Sequence, residues 1–195
     1  MKQKITKIDA AYRQLKTAIH LFFDEKDPVS IHTLACAALQ IFQDQVGNDT
    51  EKIKKLALHY HAPHIRDTQR KKVAEVLRAP RNFFKHATSG VNEISFNPEI
   101  NPLVICDAIN TYTALGFKAF EEPYFMIFNL WFIARYPDLF IKDSEVEAIF
   151  EIAKTFDHSD MNFYLQMLKT ADAHPEEMSE IIAKAKFKTE QNKTT

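Results

Sequence analysis

Glycine occurs only three times in this chain of 195 residues, against sixteen phenylalanines. That scarcity constrains the fold strongly, because glycine supplies the left-handed backbone that primed hairpin turns and phosphate-cradling loops require. Three glycines leave little material for a repeated β-architecture or a glycine-rich nucleotide loop. Gly47, Gly90 and Gly116 instead follow apolar runs of helical spacing, where glycine ends a helix. Any nucleotide chemistry must then come from side chains carried on helices.

The periodicity agrees. Ile8, Tyr12, Leu15, Ile19 and Phe22 recur in steps of four and three and predict one face of a first helix. Asp27-Pro28 predicts an N-cap with proline at the first helical position. A second helix then buries Ile31, Leu34, Ala35, Ala38, Ile41 and Phe42 and stops at Gly47-Asn48. Asp49-Thr50 starts a third segment that Pro63 terminates, and Asp67 starts a polar helix that Pro80 restarts or kinks into RNFFKHA before Gly90. Val91 to Pro98 reads as extended. Asn101-Pro102 opens a helix to about Gly116, Pro123 opens a Phe-rich one closed by Tyr136-Pro137, and Asp143 or Ser144 caps another with Glu147 as its capping-box partner. Ser159 and Pro175 begin the last two, and the tail from about Lys188 is polar and frayed.

Helices joined by short proline-marked loops predict an all-α, up-and-down helical bundle with additional C-terminal helices. The expected organisation is a single domain over 1–195, with a bundle core over about 3–120, extra helices over about 122–188 and a frayed tail at 189–195. The most apolar stretch, Tyr124 to Ala134, has 11 residues with only Asn129 polar. That is about half of the ~20 needed to span a bilayer. It predicts a buried core helix in which Asn129 is hydrogen-bonded, and no membrane partner. Cys36 and Cys106 are too few for a disulfide framework, and MKQKITKIDAAYRQ lacks a signal-peptide core, so a cytoplasmic location is expected.

Charge is balanced overall and unbalanced locally. Between Glu51 and His86 there are ten lysines and arginines against three acids, a net +7 that leaves −8 for the rest of the chain. Arg70, Lys71, Lys72, Arg78 and Lys85 belong to this block and are its candidate nucleic-acid contacts. The same charges also suit a solvated helix face, or pairing with an acidic protein partner.

Within the block, RNFFKH has a helical geometry of its own. With Arg81 at 0°, Lys85 falls near about 40°, Asn82 near about 100°, His86 near about 140°, and Phe83 and Phe84 near about 200° and 300°. Four polar groups therefore share an arc, with two aromatics opposite to seat the helix and turn Arg81, Asn82 and His86 outward. Asn82 and His86 are four apart, close enough to bond. A neutral imidazole can take a proton from a ribose 2′-hydroxyl or return one to the leaving oxygen. A guanidinium can stabilise the charge that builds on the phosphoryl oxygens. Such cleavage needs no metal or other cofactor and gives a 2′,3′-cyclic phosphate.

An arginine, a polar residue, three further residues and a histidine near the start of a helix resemble the motif of the HEPN superfamily (higher eukaryotes and prokaryotes nucleotide-binding domains). The stretches DPVSIHTLACAALQIFQD and NFFKHA are also similar to segments of uncharacterised bacterial proteins. The HEPN resemblance implies a four- or five-helix bundle that works as a homodimer on RNA or nucleotides, in many members as a metal-independent ribonuclease. By position it makes Arg81, Asn82 and His86 the catalytic set, with Arg81 on the phosphate, Asn82 orienting, and His86 as general base and acid. Other members bind nucleotides or proteins without catalysis, so a non-catalytic interaction or dimerisation module is the competing expectation.

Further candidates are weaker. His59, His61 and His64 could hold zinc only if Pro63 unwinds the turn, since the first two lie about 200° apart on a helix. His32 lies one turn before Cys36, which suggests a nucleophile pair. Its neighbours are core-like, however, and burial among alanines predicts an unreactive thiol. Glu121-Glu122 and Glu145/Glu147 suit helix N-termini better than paired catalytic carboxylates.

Overall fold

The computed structural model describes residues 2–53, 79–86, 92–139, 153 and 155–176. Among these there is no strand, and the architecture is an all-α, up-and-down helical bundle with further helices toward the C-terminus. The chain divides into two compact units, Met1–Phe117 and Lys118–Thr195.

In the first unit, α1 (Lys7–Phe23) begins with a capping box. The Asp9 amide donates to Thr6 Oγ1 and the Thr6 amide donates to Asp9 Oδ2, both at 3.1 Å. α2 (Pro28–Val46) starts as the sequence predicts, with Pro28 in its first turn and the Asp27 carboxylate accepting from the Ser30 amide at 2.8 Å. Gly47 ends it at φ 59°, a backbone that other residues adopt only with strain. α3 (Thr50–Ile53) follows Asp49, whose side chain accepts from the Glu51 and Lys52 amides. α4 comprises residues 79–85. α5 (Asn101–Ala114) is buried on nearly every side and lies against both α1 and α2.

The buried stripe of α1 is Ala11, Leu15, Ala18, Ile19 and Phe23, while Ile8, Tyr12 and Phe22 are only half-buried. The predicted face is therefore rotated toward the alanines, whose small side chains let α1 and α2 approach closely. On α2, Leu34 and Ile41 are half-buried and His32, a polar residue, is fully buried among Ile31, Ala35, Cys36 and Leu39. Each large apolar side chain sealed in this way contributes roughly 1.5–3 kcal/mol.

Residues 92–97 carry no regular structure, and a 3₁₀ turn at Pro98–Ile100 precedes α5, capped by the Asn97 side chain on the Glu99 amide. Asn97 thus does the capping that the sequence assigns to Asn101, and the Asn101 side chain is free for another role.

In the second unit, α6 (Pro123–Arg135) is the expected Phe-rich core helix, and α7 (Met161–Ala173) packs on it. Phe125, Ile127, Phe128, Tyr164 and Leu168 are fully enclosed. Asn129 is half-buried, at the edge of this core and not within it. Asp160, not Ser159, caps α7, because Ser159 is held one residue earlier by the Asp157 carboxylate. Trp131 Nε1 donates to the His158 carbonyl and the Tyr124 hydroxyl donates to Asp172, both at 2.9 Å. Residues 175–176 are helical, as Pro175 predicts. No helix among the described residues is long and apolar enough to cross a membrane.

The expected helix ends at Pro63, Asp67 and Gly90, the cap at Asp143 or Ser144 with Glu147, the residue Glu145 and the tail from Lys188 lie outside the described residues.

Candidate functional site

α4 carries Arg81 to Lys85 of the RNFFKH segment, and His86 follows its last turn. Pro80 is buried at its start, and Phe83 and Phe84 are half-buried beneath it. Phe84 meets the His32 ring edge to face at 5.8 Å between centroids and the Phe96 ring at 5.1 Å, and Phe96 closes the trio against His32 at 5.1 Å. These contacts seat the helix, as the aromatic arc predicts. Asn82, Lys85 and His86 are exposed.

Arg81 departs from the expected outward arc. It is half-buried, and its Nη1 donates to Gln40 Oε1 on α2 at 2.8 Å. On the helical wheel Arg81 lies only about 60° from Phe84. Once Phe84 is packed inward, the arginine stands at the boundary and its long side chain reaches the glutamine. Arg81 makes no ion pair among the described residues. Asn82 and His86 are joined through the main chain, the His86 amide donating to the Asn82 carbonyl at 3.0 Å, and not through their side chains.

Beneath α4 lies a polar chain that the sequence suggested only in part. The Asn101 amide Nδ2 donates to the Pro28 carbonyl at 3.0 Å, which leaves Oδ1 facing His32 Nδ1 at 2.9 Å. That oxygen can only accept, so Nδ1 carries the proton. Nε2 is then the acceptor for the Cys36 thiol, at 3.3 Å. Burial lowers the His32 pKa, the Asn101 bond acts against this, and the nearby Arg81 charge lowers it further. The imidazole is therefore neutral. Burial also pushes the Cys36 thiol up to about 12, outweighing the pull of Arg81. Cys106, likewise a free thiol, is pushed up to about 12 by burial and by Asp107. The Cys36–His32 pair exists, but as a closed hydrogen-bond chain with an inert thiol.

Asn101 is the member that sequence reasoning missed. It looks like a helix cap, and only the packing of α5 on α2 brings it to His32. A second feature without a sequence signal is a groove of about 670 Å³ beside α4, lined largely by Pro80, Ile94, Phe96, Ile100 and Leu103. Its walls are mostly apolar, and the one charged residue that lines it, Glu99, is an acid, which does not suit a phosphate.

Of the nucleic-acid candidates, Lys85 is exposed, while Arg70, Lys71, Lys72 and Arg78 lie outside the described residues, as do His59, His61 and His64. Among the described residues no group of three metal-ligating side chains is assembled. Glu121 is exposed and pairs with Lys118 at 3.0 Å. No protein-family model, no curated protein and no solved structure matches the chain.

Proposed function

We propose that this chain is a HEPN-like helical protein that binds RNA or nucleotides through the turn formed by Arg81, Asn82, Lys85 and His86. The observation that carries the reading is the state of Arg81. Its guanidinium is half-buried, oriented by a neutral amide and paired with no carboxylate among the described residues. A cation kept whole in this way, with Lys85 exposed on the same short helix and His86 exposed just after it, suits a phosphate group. In the catalytic form of the proposal, His86 moves the 2′-hydroxyl proton, Arg81 steadies the phosphoryl oxygens and Asn82 orients the substrate, in a homodimer that brings two such turns together.

One observation favours the second reading, a non-catalytic interaction or dimerisation module: Arg81 turns toward α2, away from the exposed edge that holds His86. An RNA-cleavage assay in EDTA that compares the wild type with His86→Ala separates the two. Cleavage lost in the variant supports catalysis, and equal activity in both rejects it. If neither cleaves, RNA binding that weakens in Arg81→Ala retains the binding reading. Absence of binding leaves the interaction module.

A further inference from the structure

α2 carries a polar ladder at four-residue intervals, His32, Cys36, Gln40 and Asp44, so all four lie along one stripe of the helix. The upper half of that ladder is closed, as His32 and Cys36 satisfy each other with Asn101. The lower half is directed at α4. Gln40 Nε2 donates to Asp44 Oδ1 at 2.7 Å, and Gln40 Oε1 accepts from Arg81 Nη1 at 2.8 Å.

The direction of these bonds matters. A glutamine amide can present either end to a neighbour, and only its oxygen can accept from a guanidinium. By accepting from Nε2, the Asp44 carboxylate fixes the amide in the orientation that offers Oε1 to Arg81. The carboxylate itself stays one residue away, separated from the guanidinium by a neutral group. A direct carboxylate–arginine pair would be stronger but would neutralise the cation.

Resting on the RNA-binding reading, we propose that Gln40 and Asp44 are positioning residues for Arg81. Together they fix the guanidinium without neutralising it, so that its remaining N–H donors are presented to the non-bridging oxygens of an RNA phosphate. Gln40 supplies the orienting acceptor and Asp44 sets which end of Gln40 faces the arginine.

The test is fluorescence anisotropy of a short fluorescein-labelled single-stranded RNA over a range of salt concentrations. Gln40→Glu places a carboxylate where the neutral acceptor was. It should bind about tenfold more weakly, with the slope of log affinity against log salt reduced by about 0.7, the loss of one phosphate contact on a single strand. Gln45→Glu adds the same charge to an exposed position of α2 and should change binding less than about twofold. Asp44→Asn keeps an acceptor oxygen and should bind like the wild type, whereas Asp44→Ala frees the amide and should weaken binding about threefold. If Gln40→Glu fails to fold, the contrast between the two Asp44 variants decides. Wild-type binding by Gln40→Glu, or by Asp44→Ala where Gln40→Glu does not fold, overturns the proposal while Arg81→Ala still weakens binding. If Arg81→Ala binds like the wild type, the underlying RNA-binding reading fails instead.

Discussion

Asn101 accepts a hydrogen bond from His32 at 2.9 Å across 69 positions of the chain, and both side chains are sealed from solvent. The bond ties the start of α5 to the first half of α2. It also fixes the tautomer that lets His32 accept from Cys36. Removing the amide strands the buried His32 Nδ1 and takes a second bond from the Pro28 carbonyl, which keeps its partner within the helix. Asn101→Ala should therefore cost about 1–3 kcal/mol in urea unfolding, the cost of one orphaned buried polar group. A loss under ~0.5 kcal/mol, the size of an ordinary surface change, would contradict this account.

His32 gives the fold a pH dependence with a definite sign. Its folded pKa lies below the ordinary value of 6.5, chiefly through burial, so the unfolded chain binds the proton more readily. The stabilisation from neutral His32 is present above 6.5 and is lost as pH falls through the folded value. Among the described residues, the charged or titratable groups that face it are Arg81 from α4 and Cys36 from α2, with Asn101 neutral on α5. Neither neighbour offers a negative charge to hold the imidazolium. Melting temperature should fall on acidification from pH about 7 to about 5, and His32→Leu, though less stable, should show a flatter profile. An equal slope in both proteins would show that His32 is not its source.

The two thiols should be inert in the folded protein. With both pKa values raised to about 12, the thiolate fraction at pH 8 is on the order of one in ten thousand. Iodoacetamide at that pH should label neither cysteine of the native chain in the time it labels both in urea, as read by intact mass. Fast native labelling of Cys36 would mean that the Cys36–His32–Asn101 chain opens in solution.

Much of the helical frame was legible because it depends on local rules. Asp27-Pro28, Gly47, Gly116 and Pro123 punctuate helices through backbone geometry and capping that a few neighbouring residues decide. The burial of α1 was read one step off, since hydrophobicity weighs Tyr12 and Phe22 above Ala11 and Ala18, whereas close helix approach selects the alanines. The candidate site was legible only up to its tertiary contacts. Phe83 and Phe84 do seat α4, and Asn82, Lys85 and His86 do face outward. The direction of Arg81 depends on Gln40, and the role of His32 on Asn101, and both partners arrive from distant segments whose spacing in sequence carries no information.

The second unit offers a comparison of two hydrogen bonds of equal length. Tyr124 donates to Asp172 and Trp131 donates to the His158 main chain, each at 2.9 Å. Asp172 is exposed, so when Tyr124→Phe removes the hydroxyl, water can replace it at the carboxylate. The net loss should be about 1 kcal/mol. Trp131 is 4% exposed, packed against Phe128 and Phe132, and its partner carbonyl is on a half-buried residue. Trp131→Phe leaves both a gap in the ring cluster and an unpaired carbonyl, and should cost about 2–4 kcal/mol. Urea unfolding of the two variants side by side checks the order. Equal losses would mean that solvent reaches the His158 carbonyl as easily as it reaches the Asp172 carboxylate.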